Sequence, residues 1–434
     1  MKLRVTCDGK VLSGTCSMPG DKSVSHRAAL LASIAEGTTD IYNYLWGADC
    51  LQTLQCLKRL GVVVEKRDGF IRIIGRGLDG FQEPEEILDA GNSGTTIRLL
   101  LGLLAGQDLF AVLTGDKSLC QRPMDRVINP LSMMGAQIQG RFGNRYAPLA
   151  IRGTCEVRPI EYTLPVPSAQ VKSALLLAGL NASGTTTIIQ PLPSRDHTER
   201  MLQVFGARLK VKGNVIQLAG KKTLKGQVIK VPGDISAAAF LIVAATLVRD
   251  SEIMIQSVGV NSTRAGILDV LKMMGADIQI QDMRLWNKEP VADLLVKSAD
   301  LEGTVIEGEL LPRVLDEIPV LAVAAAAARG ETVIRDADEL RVKETDRLQA
   351  IATELRKMKA VLKEKPDGLR IRGGQLQGAR VNSWGDHRIA MALAVAGLIA
   401  RGETIVEDAS CLNISFPAFS DIFRKLGAGI DAQN

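Results

Sequence analysis

The sequence predicts an α/β protein of two domains, each assembled from three copies of one unit. Two recurrences predict it. A helix followed by a paired strand motif returns about every seventy residues, and a second phrase, a small-residue helix with a polar start and a β-branched strand, returns in the same rhythm. The length of 434 residues agrees with two or three domains.

The first phrase is an amphipathic helix, a Gly-Ala or its relative, then strand, turn and strand. It reads LKRLGVVVEKRDGFIRIIG from Leu57, LSMMGAQIQGRFGNRYAPLAIRG from Leu131, LQVFGARLKVKGNVIQLAG from Leu202 and LKMMGADIQIQ from Leu271. A degraded copy, LRKMKAVLKEKPDGLRIRGG, starts at Leu355, and a truncated one, FRKLGAGID, at Phe423. The Gly after each helix is a stop signal, and the alternating apolar residues beyond it read as strands. The second phrase begins at DKSVSHRAALLASIAEGTTDI and NSGTTIRLLLGLLAG. It continues through SAQVKSALLLAGLNASGTTTII, DISAAAFLIVAATLV and DEIPVLAVAAAAARGETVI to DHRIAMALAVAGLIARGETIV. These helices are apolar nearly all round, which predicts burial. Pro-Gly in SMPGDKS and KVPGDIS sets one domain at residues 18–230 and the other at 231–434 together with 1–17. The truncated last copy is expected to lack strands, so the strand before Pro19 is expected to join that domain. A six-unit solenoid is the alternative, but it gives the polar helix starts no reason to converge.

Composition narrows the function. A net charge of +5, evenly spread, is too mild for a nucleic-acid tail and suits a protein that concentrates a few bases on small anions. Aromatic residues are only 4% of the chain, so packing relies on Ala, Leu, Val, Ile and Met. The seven Cys form no CxxC pair and no Cys/His cluster of metal spacing, which suggests reduced thiols in the cytoplasm and no metal site. MKLRVTCDGKVL has no apolar signal core, and the apolar runs near 237–248 and 318–328 are too short to span a bilayer, so no membrane association is expected.

The helix starts carry the chemistry. Gly20 to Arg27, Gly91 to Arg98, Ser168 to Lys172, Asp316-Glu317 and Gly385 to Arg388 combine capping residues with Lys and Arg. A helix N-terminus offers free N–H groups and partial positive charge to phosphate or carboxylate. Any one of these alone reads as a simple N-cap, but several together, with cations, point to anion binding. The loop Asp116 to Met124 adds Arg122. The segment Arg341 to Arg347 reads as a helix opening that puts Lys343 and Arg347 on one face. Asp316 and Glu317, as helix neighbours, are expected to point apart. His26 and His387 read as structural, and His197 as orienting Arg195.

At these residues the sequence resembles the enolpyruvyl transferase family, in its class II shikimate 3-phosphate branch. The motifs are PGDKSVSHR (19–27), GNSGTTIR (91–98), QRPM (121–124), PSAQVKSALL (167–176) and SRDHTER (194–200). NSTR (261–264), DEIPVLAVAA (316–325), VKETDR (342–347) and GDHRIAMA (385–392) follow in the family's order. The resemblance implies two inverse α/β domains, each of three βαβαββ-type repeats. It also implies transfer of the enolpyruvyl group of phosphoenolpyruvate to the 5-hydroxyl of shikimate 3-phosphate, through a tetrahedral intermediate and with release of phosphate. No cofactor, metal or nucleic acid is implied, and a monomer is the family expectation. Residue by residue, Lys22, Gly94, Arg122, Gln170, Arg347 and Arg388 are implied to bind phosphoenolpyruvate. Lys22, Ser23, Arg27, Ser168, Ala169, Gln170, Arg195, Asp316 and Lys343 are implied to hold shikimate 3-phosphate. Asp316 is implied as base on the 5-hydroxyl and Glu344 in proton transfer at C3, with Lys22 sharing that work.

Two positions depart from the pattern. Ile414 stands where some members carry a Lys, which removes one cation. Cys120 lies in the loop where the sister enzyme acting on UDP-N-acetylglucosamine carries a reactive Cys, but here it reads as a chance thiol. That sister enzyme would start the first helix with Lys-Asn rather than Lys22-Ser23. A related RNA 3′-phosphate cyclase would need a more basic surface and a nucleotide-binding His.

Overall fold

The structure is a computed structural model that describes residues 1–7 and 11–433. Its repeating unit is clearest between residues 88 and 152. Strand Leu88–Asp89, helix Gly94–Ala105, strand Phe110–Thr114, helix Asp125–Met133 and strands Gln137–Gly140 and Tyr146–Arg152 follow one another as βαβαββ. The first two strands pair parallel, and the fourth lies antiparallel between the second and third. Among the described residues six four-stranded sheets are built this way.

Local sequence accounts for the elements. The apolar helices start on capping side chains: Asp21, Ser93, Ser168, Asp234 and Asp386 each accept a backbone N–H of the first turn. After the amphipathic helices the chain turns through positive φ at Gly61, Gly135, Gly206, Gly275 and Gly427. In the degraded copy Lys359 adopts φ 65° instead. Strands such as Thr38–Tyr42 and Thr185–Ile189 alternate buried and exposed residues, one face on the helices and one in solvent. The helices are therefore inside and the sheets outside, the inverse α/β arrangement.

Two sheets are completed by the start of the chain. Lys2–Thr6 lies antiparallel between Glu403–Glu407 and Gly429–Gln433, and Ser13–Ser17 pairs parallel with Glu252–Gly259. The expectation that the last copy lacks strands is corrected by Gly429–Gln433. That short segment finds its backbone partners in the chain start, and Ile430 packs inward. Val228–Lys230 similarly completes the first sheet against Thr38–Tyr42.

Contacts group the chain into two compact units, one of Met1–Pro19, Pro232–Leu285 and Pro290–Asn434, the other of Gly20–Val231 and Trp286–Glu289. Each has its own core. In the first, helices Ile235–Leu247, Ile318–Ala327 and His387–Ile399 are almost wholly buried. In the second, the buried helices are Lys22–Ser33, Gly94–Ala105 and Ala169–Gly179. Among the described residues no helix is long and apolar enough to cross a membrane.

Candidate functional site

In the unit of Gly20–Val231 the helix starts bring polar side chains together. Lys22 opens its helix and its Nζ lies 3.1 Å from Asp49 Oδ2, in the first turn of helix Ala48–Arg59. Sequence reasoning passed over Asp49, because a lone Asp in a first turn reads as a helix-dipole residue. Arg27 donates to the Ser23 carbonyl at 3.0 Å, Thr198 Oγ1 at 2.6 Å and Ser173 Oγ at 2.9 Å. Burial pulls its guanidinium down from the ordinary arginine range to about 10, against the opposing pull of Glu199. Arg195 sits close enough to add to that lowering. Ser168 caps its helix by accepting from Val171 N, with Ala169 as the first helical residue.

Gln170 is fixed from both ends: its Oε1 accepts from Arg98 at 2.9 Å and its Nε2 donates to Thr95 Oγ1 at 3.1 Å. Arg122 holds Asn92 Oδ1 at 2.6 Å and Ser118 Oγ at 3.2 Å. Gly94 opens the helix between these arginines. A Cβ there would lie 2.5 Å from Arg98 Nη1 and 3.6 Å from Arg122 Nη1. Arg98 thus orders the bed that Gln170 and Gly94 share, a role that the motif GNSGTTIR signalled only by its presence.

Of the residues singled out by pattern, Lys172 and His197 turn elsewhere, while His26 sits in the core in keeping with its structural reading. Lys172 is fully buried, 2.6 Å from Glu199, so it is a core ion pair and not part of an anion-binding helix start. His26 is buried against Thr53 Oγ1 at 2.7 Å, and burial pushes it down to about 3. His197 meets Glu289 at 2.9 Å rather than orienting Arg195. The Cys120 thiol, half-buried, is 3.3 Å from the Gly115 carbonyl.

In the other unit a guanidinium–carboxylate network joins side chains at the starts of several helices. Arg347 is 2% exposed and reaches Asp386 Oδ2 at 2.8 Å, Asp316 Oδ1 at 3.3 Å and Glu344 Oε2 at 2.6 Å. Burial alone would lower its affinity for the proton, but the three carboxylates outweigh that and raise it. Arg388 donates to the Asp316 carbonyl at 3.0 Å and lies 3.8 Å from Asp316 Oδ2 and 3.5 Å from Glu317 Oε1. Arg264 lies 3.0 Å from Glu317 Oε1, 3.6 Å from Asp234 and 4.0 Å from Asp316 Oδ2.

Two expectations fail here. Asp316 and Glu317 do not point apart, because they lie in a tight turn, Leu315–Glu317, ahead of helix Ile318–Ala327, and both reach Arg264 and Arg388. Lys343 and Arg347 do not share a helix face. The helix begins only at Arg347, behind the Asp346 cap, and Lys343 leaves the preceding turn to pair with Glu339 at 2.8 Å. Ile414 ends a short turn, Ala409–Ile414, beside Cys411, whose thiol burial pushes up to about 11.

Six βαβαββ repeats with cations and carboxylates gathered at the starts of their buried helices define an α/β enzyme that handles small anions. The comparisons specify which. The family model for EPSP synthase (3-phosphoshikimate 1-carboxyvinyltransferase) matches residues 7–423. The 3-phosphoshikimate 1-carboxyvinyltransferase of Desulforamulus reducens is 53% identical over 419 residues, covering 96% of this chain and 97% of the relative. That of Pelotomaculum thermopropionicum is 54% identical over 418 residues, covering 96% of each chain. The solved structure of EPSP synthase from Acinetobacter baumannii superposes with a TM-score of 0.90 at 42% identity and full coverage of both chains. This chain belongs to the EPSP synthase family.

Proposed function

We propose that the guanidinium–carboxylate network at Asp316, Glu344, Arg347 and Arg388, with Lys22 and its neighbours, carries out the family's reaction. That reaction transfers the enolpyruvyl group of phosphoenolpyruvate to the 5-hydroxyl of shikimate 3-phosphate and releases phosphate, in the shikimate pathway. The hydroxyl adds to C2, C3 gains a proton, and the tetrahedral intermediate then expels phosphate. Both substrates carry a phosphate and a carboxylate, so cations must gather them in a place poor in water.

The observation that carries the reading is Asp316, whose carboxylate meets Arg347 at 3.3 Å and Arg388 at 3.8 Å. Asp316 is thereby held in place to take the hydroxyl proton. Arg347 and Arg388 bind phosphoenolpyruvate together with Lys22, Arg122, Gln170 and the backbone of Gly94. Shikimate 3-phosphate is held by Lys22, Ser23, Arg27, Ser168, Ala169, Gln170, Arg195, Asp316 and Lys343. Glu344 delivers the proton to C3. Glu344 is paired with Arg347 at 2.6 Å. An anion arriving at Arg347 competes for that guanidinium, and a carboxylate released from its cation regains proton affinity. Substrate binding itself thus prepares the acid. The two compact units are read as the enzyme's domains, and the enzyme as a cytoplasmic monomer.

The test is phosphate release from phosphoenolpyruvate, with shikimate 3-phosphate or UDP-N-acetylglucosamine as acceptor. Release with shikimate 3-phosphate alone is expected, falling at least a hundredfold in Asp316→Asn, in line with loss of a positioned base. Release with the nucleotide sugar would overturn the substrate, and an Asp316→Asn enzyme at the parental rate would overturn the base.

A further inference from the structure

Behind Asp316 lies a layer of buried polar groups that the reaction does not itself require. Glu317 is 1% exposed and Arg264 3% exposed. Glu317 Oε1 accepts from Arg264 Nη1 at 3.0 Å and from the Ser236 hydroxyl, which also accepts from Arg264 Nη2. Ser236 lies in the first turn of helix Ile235–Leu247, Arg264 ahead of helix Gly266–Met273, and Glu317 ahead of helix Ile318–Ala327. Three separate elements thus supply one buried cluster. Burying a charge is costly unless it is paired and bonded, and Glu317 Oε2 has no hydrogen-bond partner. A core built for stability alone would be served as well by apolar side chains of similar size.

We infer that Arg264 is a positioning residue for the reaction, acting through Asp316 and through Glu317 on Arg388. Its guanidinium lies 4.0 Å from Asp316 Oδ2, while Glu317 stands 3.0 Å from Arg264 and 3.5 Å from Arg388. Arg264 therefore takes up the Glu317 charge that would otherwise fall wholly on Arg388, and leaves Arg388 able to serve an incoming anion. It also joins Arg347 at 3.3 Å and Arg388 at 3.8 Å among the cations near Asp316. Carboxylates held by those arginines also face this cluster: Glu317 and Asp234 on Arg264, and Glu344 and Asp386 on Arg347. Every near carboxylate raises the proton affinity of Asp316, and every guanidinium lowers it.

This inference rests on the reading of Asp316 as base, and the test separates the two. The pH dependence of kcat is measured for the parent and for Asp316→Asn, Arg264→Gln and Arg264→Lys. Removing the Arg264 charge is expected to move the acid limb to higher pH by about one unit and to lower kcat at least tenfold, since a cation about 4 Å from a carboxylate favours its ionised form. Arg264→Lys keeps the charge and is expected to return the limb to its parental place. An Arg264→Gln enzyme with the parental limb overturns the inference while a dead Asp316→Asn leaves the base standing. A parental rate in Asp316→Asn overturns both. If Arg264→Gln does not fold, Ser236→Ala decides: it loosens the same cluster, and an unchanged limb and kcat would sink the role of Arg264.

Discussion

Single residues here are governed by what they are paired with. His26 is an ionisable side chain placed where it must stay neutral. Buried against Thr53, it falls from 6.5 to about 3, first through burial and then through Lys22 and Arg27, with Asp49 opposing. The sign follows: in the unfolded chain His26 takes a proton near pH 6.5, in the folded chain only near 3. The folded state therefore has its full advantage above pH 6.5 and loses it as pH falls toward 3. Denaturant unfolding between pH 7 and pH 4 should show a shallower pH dependence in His26→Gln than in the parent; equal slopes would refute the assignment. Other residues were readable only in part. Lys22 and Arg388 were legible because they stand at polar helix starts, and Arg122 because it lies in a basic loop. Asp49 and Asp386 were not, since a capping Asp and an Asp that grips an arginine look alike until the partner is known. Asp386 does both, accepting from Arg388 N at 2.8 Å and holding Arg347 Nε at 2.8 Å.

Helices and strands were the most legible level. Periodicity and stop signals identified all six buried helices, because a helix that packs on every side must be apolar on every side. What the pattern could not say is how closely two of them approach. Helices Gly94–Ala105 and Ala169–Gly179 cross at Gly102, where a Cβ would lie 2.4 Å from the Ala174 carbonyl oxygen and 2.6 Å from its Cα. Backbone cannot swing aside as a side-chain tip can. Gly102→Ala should therefore lose about 1–3 kcal/mol despite the better helix propensity of Ala. A variant as stable as the parent in urea unfolding would show that the crossing can relax. The segment before Arg347 marks the opposite limit. VKETDR looks helical by spacing, yet Asp346 caps the helix by accepting from Gln349 N at 3.0 Å, which leaves Lys343 outside it.

At the scale of the whole chain, the repeats are sewn together by strands far apart in sequence. Lys2–Thr6 is an inner strand of its sheet, paired on both sides. Deleting residues 1–7 would strip the backbone partners from Glu403–Glu407 and Gly429–Gln433 and uncover the pocket that Leu3 and Val5 fill. Terminal residues are usually dispensable, but these should not be. The truncated chain is expected to be insoluble or to lose its cooperative unfolding transition in calorimetry; a soluble chain with the parental melting temperature would count against this account. The sequence by itself determined the repeat, the number of units, the buried helices and the cluster of cations at their starts, because each is written in local pattern and residue type. Tertiary structure alone decided which carboxylate meets which arginine. Arg347 finds Asp316 31 residues away and Asp386 39 residues away, and Ser236 finds Glu317 81 residues away. Such pairings depend on how helices from different repeats pack, and a charge written in the chain acquires its chemistry only when that packing gives it a partner.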